Sequence, residues 1–116
     1  MFKCKRIYAT TDRADGYRIL VDRVWPRGVS KEKARIGLWM KEIAPSGQLR
    51  KWFGHDPKRW VEFQKRYDKE LRRKPELVEQ LRQLEKDHGT VTLIYSARDE
   101  THNQAAALCA FLQESI

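Results

Sequence analysis

The amino-acid sequence predicts a small α/β fold, a single parallel or mixed sheet covered by helices, and three observations indicate it. Segments rich in β-branched and aromatic residues predict strands near 2–9, 17–22 and 90–95. Apolar residues at helical spacing lie between the second and third of these segments. The length of 116 residues suits one domain, so we expect residues 1–116 to form one hydrophobic core.

The strand order follows from turn signals and from the length of the connections. Asp15-Gly16 is a turn signal before the second strand, and Pro26 and Gly28 follow it as strand terminators. We expect the first two strands to be neighbours. We expect the third strand to pair in parallel with the second through a long helical crossover.

Helix starts are marked by residues whose side chains accept hydrogen bonds from free first-turn amides, or by proline at the first helical position. Four such starts are Ser30, Ser46, Asp56-Pro57 and Pro75. The helix that follows Asp56-Pro57 places Trp60, Phe63, Tyr67 and Leu71 on one face. Thr101 with Gln104 resembles a capping box before an apolar helix at 105–112.

The chain is basic, with a formal net charge of +8. Residues 1–60 hold 15 Lys and Arg against 6 Asp and Glu, a net charge of +9, so the excess lies in the first half. This asymmetry fits an anionic ligand or nucleic acid, and it also fits a basic solubilising surface. No apolar stretch approaches the ~20 residues that a membrane span needs, so we expect a cytoplasmic protein without a membrane partner.

Cysteine and histidine are too sparse to indicate metal or redox chemistry. Cys4 and Cys109 are the only cysteines, and they lie far apart in the sequence. We expect two reduced, buried thiols rather than a disulfide. The three histidines are scattered, and no phosphate-cradling or dinucleotide motif is present, so we expect no metal and no cofactor.

The loop after the second strand is the first candidate site, because ligands of open α/β sheets bind beyond the carboxyl ends of the strands. Arg23, Trp25 and Arg27 are its candidate ligand-binding residues, and Asp22 is a candidate for proton transfer. Arginine offers a planar fork of donors to a phosphate or carboxylate. In the alternative interpretation Asp22 pairs with an arginine and Trp25 fills the core.

The loop after the third strand is the second candidate site. Ser96, Arg98 and Asn103 are its candidate ligand-binding residues. Asp99 and His102 lie three apart, so the carboxylate can orient the imidazole for general acid or base catalysis. In the alternative interpretation Asp99 is a helix cap and His102 a surface residue. The two loops meet if their strands are neighbours.

A third contribution is expected from the segment before the Trp60 helix. Ser46 with Arg50, and His55 beside Asp56, are its candidates. Helix capping alone explains why Ser46 and Asp56 occur at these positions, so a ligand contact is not needed to explain either residue.

Ordered blocks along the chain resemble a known family. They are DGYRILVDRVWPRG at 15–28, APS at 44–46, WFGHDP at 52–57, RWVEF at 59–63, TLIYSARD at 92–99 and HN at 102–103. Together they resemble the YeaO-like family, a domain of unknown function numbered 488, over about 2–112. The resemblance implies a small α/β domain, and it implies no reaction, cofactor or catalytic residue.

Three functions compete at this point. The first is a pocket for a phosphorylated or carboxylated small molecule, with or without catalysis, using Arg23, Arg27 and Arg98 for charge and Asp22, Asp99 or His102 for proton transfer. The second is a nucleic-acid-binding accessory protein, indicated by tryptophans interleaved with basic residues in the first half. The third is an interaction protein that presents an exposed aromatic patch around Trp39.

Overall fold

A computed structural model describes residues 1–114, and within that range the chain forms a four-stranded parallel sheet flanked by five α-helices. The strands are β1 (Phe2–Arg6), β2 (Tyr17–Leu20), β3 (Leu38–Trp39) and β4 (Val91–Tyr95). Their order across the sheet is β1-β4-β2-β3. The α/β class and the parallel pairing of the second strand with the strand near 90–95 are thus confirmed.

The five helices are α1 (Lys31–Ala34), α2 (Gly47–Phe53), α3 (Trp60–Arg72), α4 (Pro75–His88) and α5 (Gln104–Glu114). The capping signals mark the starts of α1, α2 and α4 correctly, whereas α3 begins three residues after the predicted Pro57 and the start of α5 is an exception. Ser30 and Ser46 accept hydrogen bonds from the backbone amides of Lys33 and Leu49. Asp56 caps a 3-10 turn, Pro57–Arg59, which leads into α3.

The exception is the start of α5, where the expected capping box at Thr101 is wrong. Asn103 caps the helix, because its Oδ1 accepts a hydrogen bond from the backbone amide of Ala106 at 2.8 Å. The Thr101 hydroxyl instead bonds to Asp99 at 3.0 Å. Gln104 extends away from the helix start and donates to Asp22.

The expectation that the first two strands are neighbours is wrong, because β4 lies between them. All five residues of β4 are buried, as suits a strand that pairs on both edges and is covered on both faces. The link from β1 to β2 returns along the length of the sheet, so both strands run in the same direction and each pairs with β4. Both strands are also shorter than predicted, ending at Arg6 and Leu20.

The sheet is buried on both faces. Ile19 and Leu93 face the larger cluster, which also contains Phe63, Tyr67 and Leu108 from the helices. Leu20 and Ile94, the next residues along the two strands, point the other way, as strand alternation requires. They pack with Ile7 and Ala34 in a second cluster. The loop after β2 contributes to this second cluster, so part of it serves packing.

The turn into β2 places a buried ion pair at the amino end of the sheet. Arg18 Nη1 lies 2.6 Å from Asp15 Oδ2, and both side chains are almost fully buried. Lys5 Nζ approaches the other carboxylate oxygen at 2.8 Å. Gly16 follows with φ of 64°, and a Cβ there would lie 2.3 Å from the carbonyl oxygen of Thr90. The predicted Asp15-Gly16 turn is therefore required by both conformation and space.

The two cysteines are closer to each other, and more accessible, than their sequence positions indicated. Cys4 on β1 is exposed and Cys109 on α5 is half-buried, so the expectation of two buried thiols is wrong. The cause is that β1 lies at the edge of the sheet and α5 packs along it.

Among residues 1–114, the helices are all too short or too polar to cross a bilayer.

Candidate ligand site at the carboxyl ends of the central strands

The loops after β2 and β4 border a cavity of about 220 Å³. Because β2 and β4 are adjacent and parallel, their carboxyl ends meet at the same edge of the sheet, where ligands of this architecture bind. The polar part of the wall contains Asp22, Arg23, Arg50, His55, Ser96 and Gln104. Phe53 and Phe63 contribute apolar surface. The cavity thus combines an apolar side with several donors and one carboxylate.

Asp22 joins the two loops. Its side chain is buried, and Oδ2 accepts a hydrogen bond from the backbone amide of Ser96 at 3.0 Å. The Gln104 side chain donates to Oδ1. The Trp39 indole donates to the carbonyl oxygen of Asp22 at 2.7 Å, which fixes the backbone of this loop from the edge strand.

Burial affects the pKa of Asp22 more than its hydrogen bonds do. Burial raises the pKa of Asp22 above its ordinary value, whereas the hydrogen bonds from Ser96 and Gln104 and the charge of Arg50 act in the opposite direction. The buried position therefore disfavours the ionised carboxylate of Asp22, and the nearby charge of Arg50 partly offsets this effect.

Arg23 is held in place with one donor unused. Its Nη2 donates to the carbonyl oxygens of Ala44 at 3.2 Å and Pro45 at 3.4 Å. Its Nε is buried and has no hydrogen-bond partner within the described part of the chain. Buried donors are nearly always paired in proteins, so this nitrogen is an exception to the general rule, as is Arg18 Nη2 in the buried pair with Asp15.

Arg50 and His55 complete the basic side of the cavity. Arg50 lies on α2, is exposed at its outer end, and is close enough to Asp22 for its charge to lower the pKa of that carboxyl. His55 follows α2 in the left-handed region, with φ of 58°, an uncommon conformation for a residue with a side chain. Both were sequence candidates, and both line the cavity.

The segment that holds Arg23 is itself fastened by α3 and α4. Glu70 on α3 accepts from the backbone amide of Ser46 at 2.8 Å and from its hydroxyl at 2.6 Å. Tyr67 donates to the carbonyl oxygen of Ile43 at 2.6 Å. Lys74 donates to the carbonyl oxygen of Ala44 at 3.2 Å. This network fixes the carbonyl oxygens that orient Arg23.

Three predicted ligand-binding residues lie outside the cavity wall. The Trp25 indole donates to the carbonyl oxygen of Val29 at 2.8 Å, and its ring packs against the second cluster. The interpretation of Trp25 as a packing residue is therefore the one that the structure supports. Arg27 and Arg98 are exposed and do not line the cavity. The loop after β2 divides its side chains between the cavity and the opposite face.

Asp99 and His102 form a pair beside the cavity and not in its wall. His102 Nδ1 lies 2.9 Å from Asp99 Oδ2, and the His102 ring meets Trp60 edge-on at 5.3 Å. Asp99 also accepts from the backbone amides of Thr101 and His102, and these bonds hold its pKa well below the ordinary range. The carboxylate mainly closes the turn before α5. Asn103 lines the cavity and caps α5 at the same time.

Glu70, Lys74 and Gln104 were not among the sequence candidates. Glu70 on α3 and Lys74 in the link between α3 and α4 belong to a stretch rich in charge, where nothing in the sequence separates a buried partner from a solvated one. Gln104 was expected to take part in a capping box with Thr101, so its contact with Asp22 was not predicted. Within residues 1–114, no three His, Cys, Asp or Glu side chains lie close enough together to hold a metal ion.

Fold and site together define a class: a parallel α/β domain with a small cavity, lined by both polar and apolar side chains, where its two central strands end. The chain belongs to the DUF488 family, because the family model described as "Inactive DUF488-N3 subclade" matches residues 1–116. It is 40% identical to the uncharacterised protein YeaO of Escherichia coli over 111 residues, which cover 96% of each chain.

Relatives in mycobacteria show a similar degree of identity. The uncharacterised protein Rv3073c of Mycobacterium tuberculosis is 42% identical over 107 residues, which cover 92% of this chain and 89% of that protein. The uncharacterised protein Mb3100c of Mycobacterium bovis has the same identity over the same share of each chain. No solved structure matches the chain.

Proposed function

We propose that this protein binds a small anion, a phosphate or a carboxylate, in the cavity at the carboxyl ends of β2 and β4. The observation that carries the proposal is the presence of two guanidinium groups, those of Arg23 and Arg50, in the wall of one cavity at the strand ends. An anion bound there pairs with these guanidinium groups.

The charges around the cavity favour an anion. Arg23 and Arg50 supply two guanidinium groups, His55 supplies ring nitrogens, and Asp22 is the one carboxylate among the lining residues. Burial already raises the pKa of Asp22, and its two oxygens are engaged by Ser96 and Gln104. The lining arginines therefore outnumber the one carboxylate, which leaves a net positive charge for a ligand.

The size of the cavity restricts the ligand. The cavity has a volume of about 220 Å³. Cavities for drug-sized ligands have volumes of about 300–1,000 Å³. We therefore expect a ligand of the size of inorganic phosphate or a short carboxylic acid rather than one as large as a nucleotide.

We propose binding without turnover. The predicted acid-base pair, Asp99 and His102, lies outside the cavity wall, and the bonds that Asp99 accepts belong to the turn before α5. Asp22 is the one predicted proton-transfer residue in the wall. The description of the family model as an inactive subclade agrees with a binding role.

Contacts of the tryptophans favour a small ligand over nucleic acid. The indoles of Trp25 and Trp39 donate to backbone carbonyl oxygens, and their rings meet edge to face at 5.6 Å. The guanidinium groups of Arg59 and Arg66 lie over the Trp52 ring at 5.3 and 4.1 Å. These rings are engaged within the chain, so base stacking would have to displace existing contacts.

A melting-temperature screen tests the proposal. The purified chain is mixed at constant ionic strength with phosphate, sulfate, acetate, oxalate and succinate, with chloride as reference. A ligand at a hundred times its dissociation constant stabilises the native state by about 2.7 kcal/mol, a shift of several degrees in Tm. We expect at least one phosphate or carboxylate to produce a saturable shift.

The screen is repeated on a single-stranded and a double-stranded oligonucleotide to separate the two functions. A shift produced by oligonucleotides alone, with a steep dependence on salt, would replace the small-anion proposal with the nucleic-acid one. The absence of a saturable shift with every small anion would also overturn it.

A further inference from the structure

Cys4 and Cys109 face each other across the contact between the edge strand β1 and the last helix α5. Cys4 Sγ lies 3.4 Å from the carbonyl oxygen of Ala105 on α5, and Cys109 Sγ lies 3.7 Å from the carbonyl oxygen of Phe2 on β1. Each thiol therefore reaches the backbone of the other's element.

The spacing within each element brings these two contacts to the same place. Phe2 and Cys4 are two residues apart on a strand and point to the same face. Ala105 and Cys109 are four apart on a helix and lie on the same face, one turn from each other. The two contacts therefore lie within two residues of each other on β1 and within about one turn of each other on α5. Cys4 is exposed, so reagents in solution reach the pair.

We propose that Cys4 and Cys109 form a dithiol site that is reversibly oxidised to an intramolecular disulfide by low-molecular-weight disulfides. The site is separate from the anion cavity and does not depend on it. Its product is a covalent link between β1 and α5 through two cysteines that are 105 positions apart in the sequence.

The two thiols also differ in acidity in the direction that such exchange requires. The hydrogen bond from the Cys4 thiol lowers the pKa of Cys109 to about 7, although partial burial acts against this. The same interaction and burial raise the pKa of Cys4. Cys109 is thus the more acidic of the two thiols, and the thiolate is the form that attacks a disulfide.

The reaction balances with a disulfide reagent as the oxidant. The Cys109 thiolate attacks one sulfur of the reagent, the reagent's S–S bond breaks, and its other half leaves as a thiolate that takes up a proton. Cys4 then loses its proton and attacks Cys109 Sγ in the mixed disulfide, which releases the second half of the reagent as a thiol. The protein loses two hydrogens and gains one S–S bond, and the reagent is reduced to two thiols.

The experiment treats the full chain with oxidised glutathione under native conditions and measures intact mass and non-reducing peptide maps. We expect wild-type protein to lose two hydrogens, to retain no glutathione, and to yield one cross-linked peptide pair containing Cys4 and Cys109. Dithiothreitol is expected to restore the original mass. The variants Cys4→Ser and Cys109→Ser cannot form the link, and neither should give that cross-linked pair.

A second measurement detects the link through stability. Oxidised wild-type protein is expected to melt at a higher temperature than the reduced form, because the disulfide closes a long loop of the unfolded chain. The double variant Cys4→Ser, Cys109→Ser should show no such shift. Wild-type protein that stays reduced, that keeps glutathione on either thiol without cross-linking, or that forms disulfide-linked dimers instead, would overturn the proposal.

Discussion

The carboxylate of Asp22 accepts a hydrogen bond from the backbone amide of Ser96 at 3.0 Å, and this bond connects the loops that follow β2 and β4. The loops come from distant parts of the chain and become neighbours because their strands are adjacent and parallel. One wall of the cavity therefore depends on a single side chain whose ionised form is disfavoured by burial.

Removing the Asp22 side chain should loosen this connection. We expect Asp22→Ala to lower the free energy of unfolding by about 1–3 kcal/mol, because the Ser96 amide loses its partner in a largely buried place. Asp22→Asn keeps an acceptor for that amide, so its loss should be smaller. Urea denaturation of the three proteins measures the difference, and an equal loss in both variants would show that the hydrogen bond to Ser96 does not stabilise the fold.

The stability of Asp22→Asn relative to wild type should depend on pH. The folded pKa of Asp22 is raised above its ordinary value of 3.8, so the folded state binds its proton more tightly than the unfolded state. Protonation therefore stabilises wild-type protein as the pH falls from neutral through the raised pKa, and the effect is complete below 3.8. The asparagine variant is uncharged throughout this range.

The free energy of unfolding of Asp22→Asn, measured relative to that of wild type, should consequently be highest near pH 7 and should decrease as the pH falls. Urea titrations of both proteins at several pH values between 4 and 7 measure this. A difference that is constant, or that moves in favour of the variant on acidification, would contradict the raised pKa.

The buried pair of Asp15 and Arg18 should be far more sensitive to mutation than a surface pair. Both side chains are almost fully buried, and Arg18 also donates to the carbonyl oxygen of Ala34 at 3.1 Å. Asp15→Ala leaves an uncompensated buried guanidinium, and we expect a loss of about 3–5 kcal/mol. The matched control is Glu62→Ala, which breaks the exposed pair with Arg66 and should cost under about 1 kcal/mol. Equal losses in chemical denaturation would refute the distinction.

The attachment of the 43–46 segment to α3 should contribute measurably to stability. Glu70 accepts two hydrogen bonds from Ser46, one from the amide and one from the hydroxyl. We expect Glu70→Ala to lose about 2 kcal/mol, since hydrogen bonds to charged groups contribute about 1.5–3 kcal/mol. Glu79→Ala, at an exposed position on α4, is the control and should change stability by less than about 0.5 kcal/mol. A Glu70 variant as stable as this control would mean that the segment is held without Glu70.

Two glycines should respond to alanine in opposite directions. Gly16 has φ of 64° and no room for a Cβ beside Thr90, so Gly16→Ala should be destabilising by more than about 1 kcal/mol. Gly47 opens α2 in free space, and alanine there should raise stability by up to about 1 kcal/mol. Thermal unfolding of both variants checks the sign, and a stabilising Gly16→Ala would contradict the close approach to Thr90.

Much of the fold follows from local signals in the sequence. Ser30, Ser46 and Asp56 cap turns or helices because their side-chain oxygens accept from nearby amides, and that chemistry acts over three residues. The pairing of β2 with β4 follows from the general preference for helical crossovers between parallel strands. The position of β4 between β1 and β2 depends on its burial on both faces. No local pattern of residues in the sequence encodes this position.

The position of the candidate site was predictable from the sequence, but only some of the residues that line it were. Asp22, Arg23, Ser96 and Asn103 were expected at the strand ends, and all four line the cavity. Trp25, Arg27 and Arg98 were expected with them, but they lie outside the cavity wall because both loops bend at these points, at 23–24 and at 98, instead of continuing in extended conformation. Glu70 and Gln104 act through contacts with residues distant in sequence, which residue type and spacing do not encode.

Isothermal titration calorimetry with the anion that gives the largest shift in Tm tests the central claim most directly. At constant ionic strength, wild-type protein should bind one anion per chain, and Arg50→Ala should weaken binding about tenfold or more, a loss of at least about 1.4 kcal/mol. Arg27→Ala removes the same charge from an exposed position outside the cavity and should leave affinity unchanged. Equal weakening in both variants, or no measurable binding by the wild-type chain, would contradict the assignment of the cavity as an anion site.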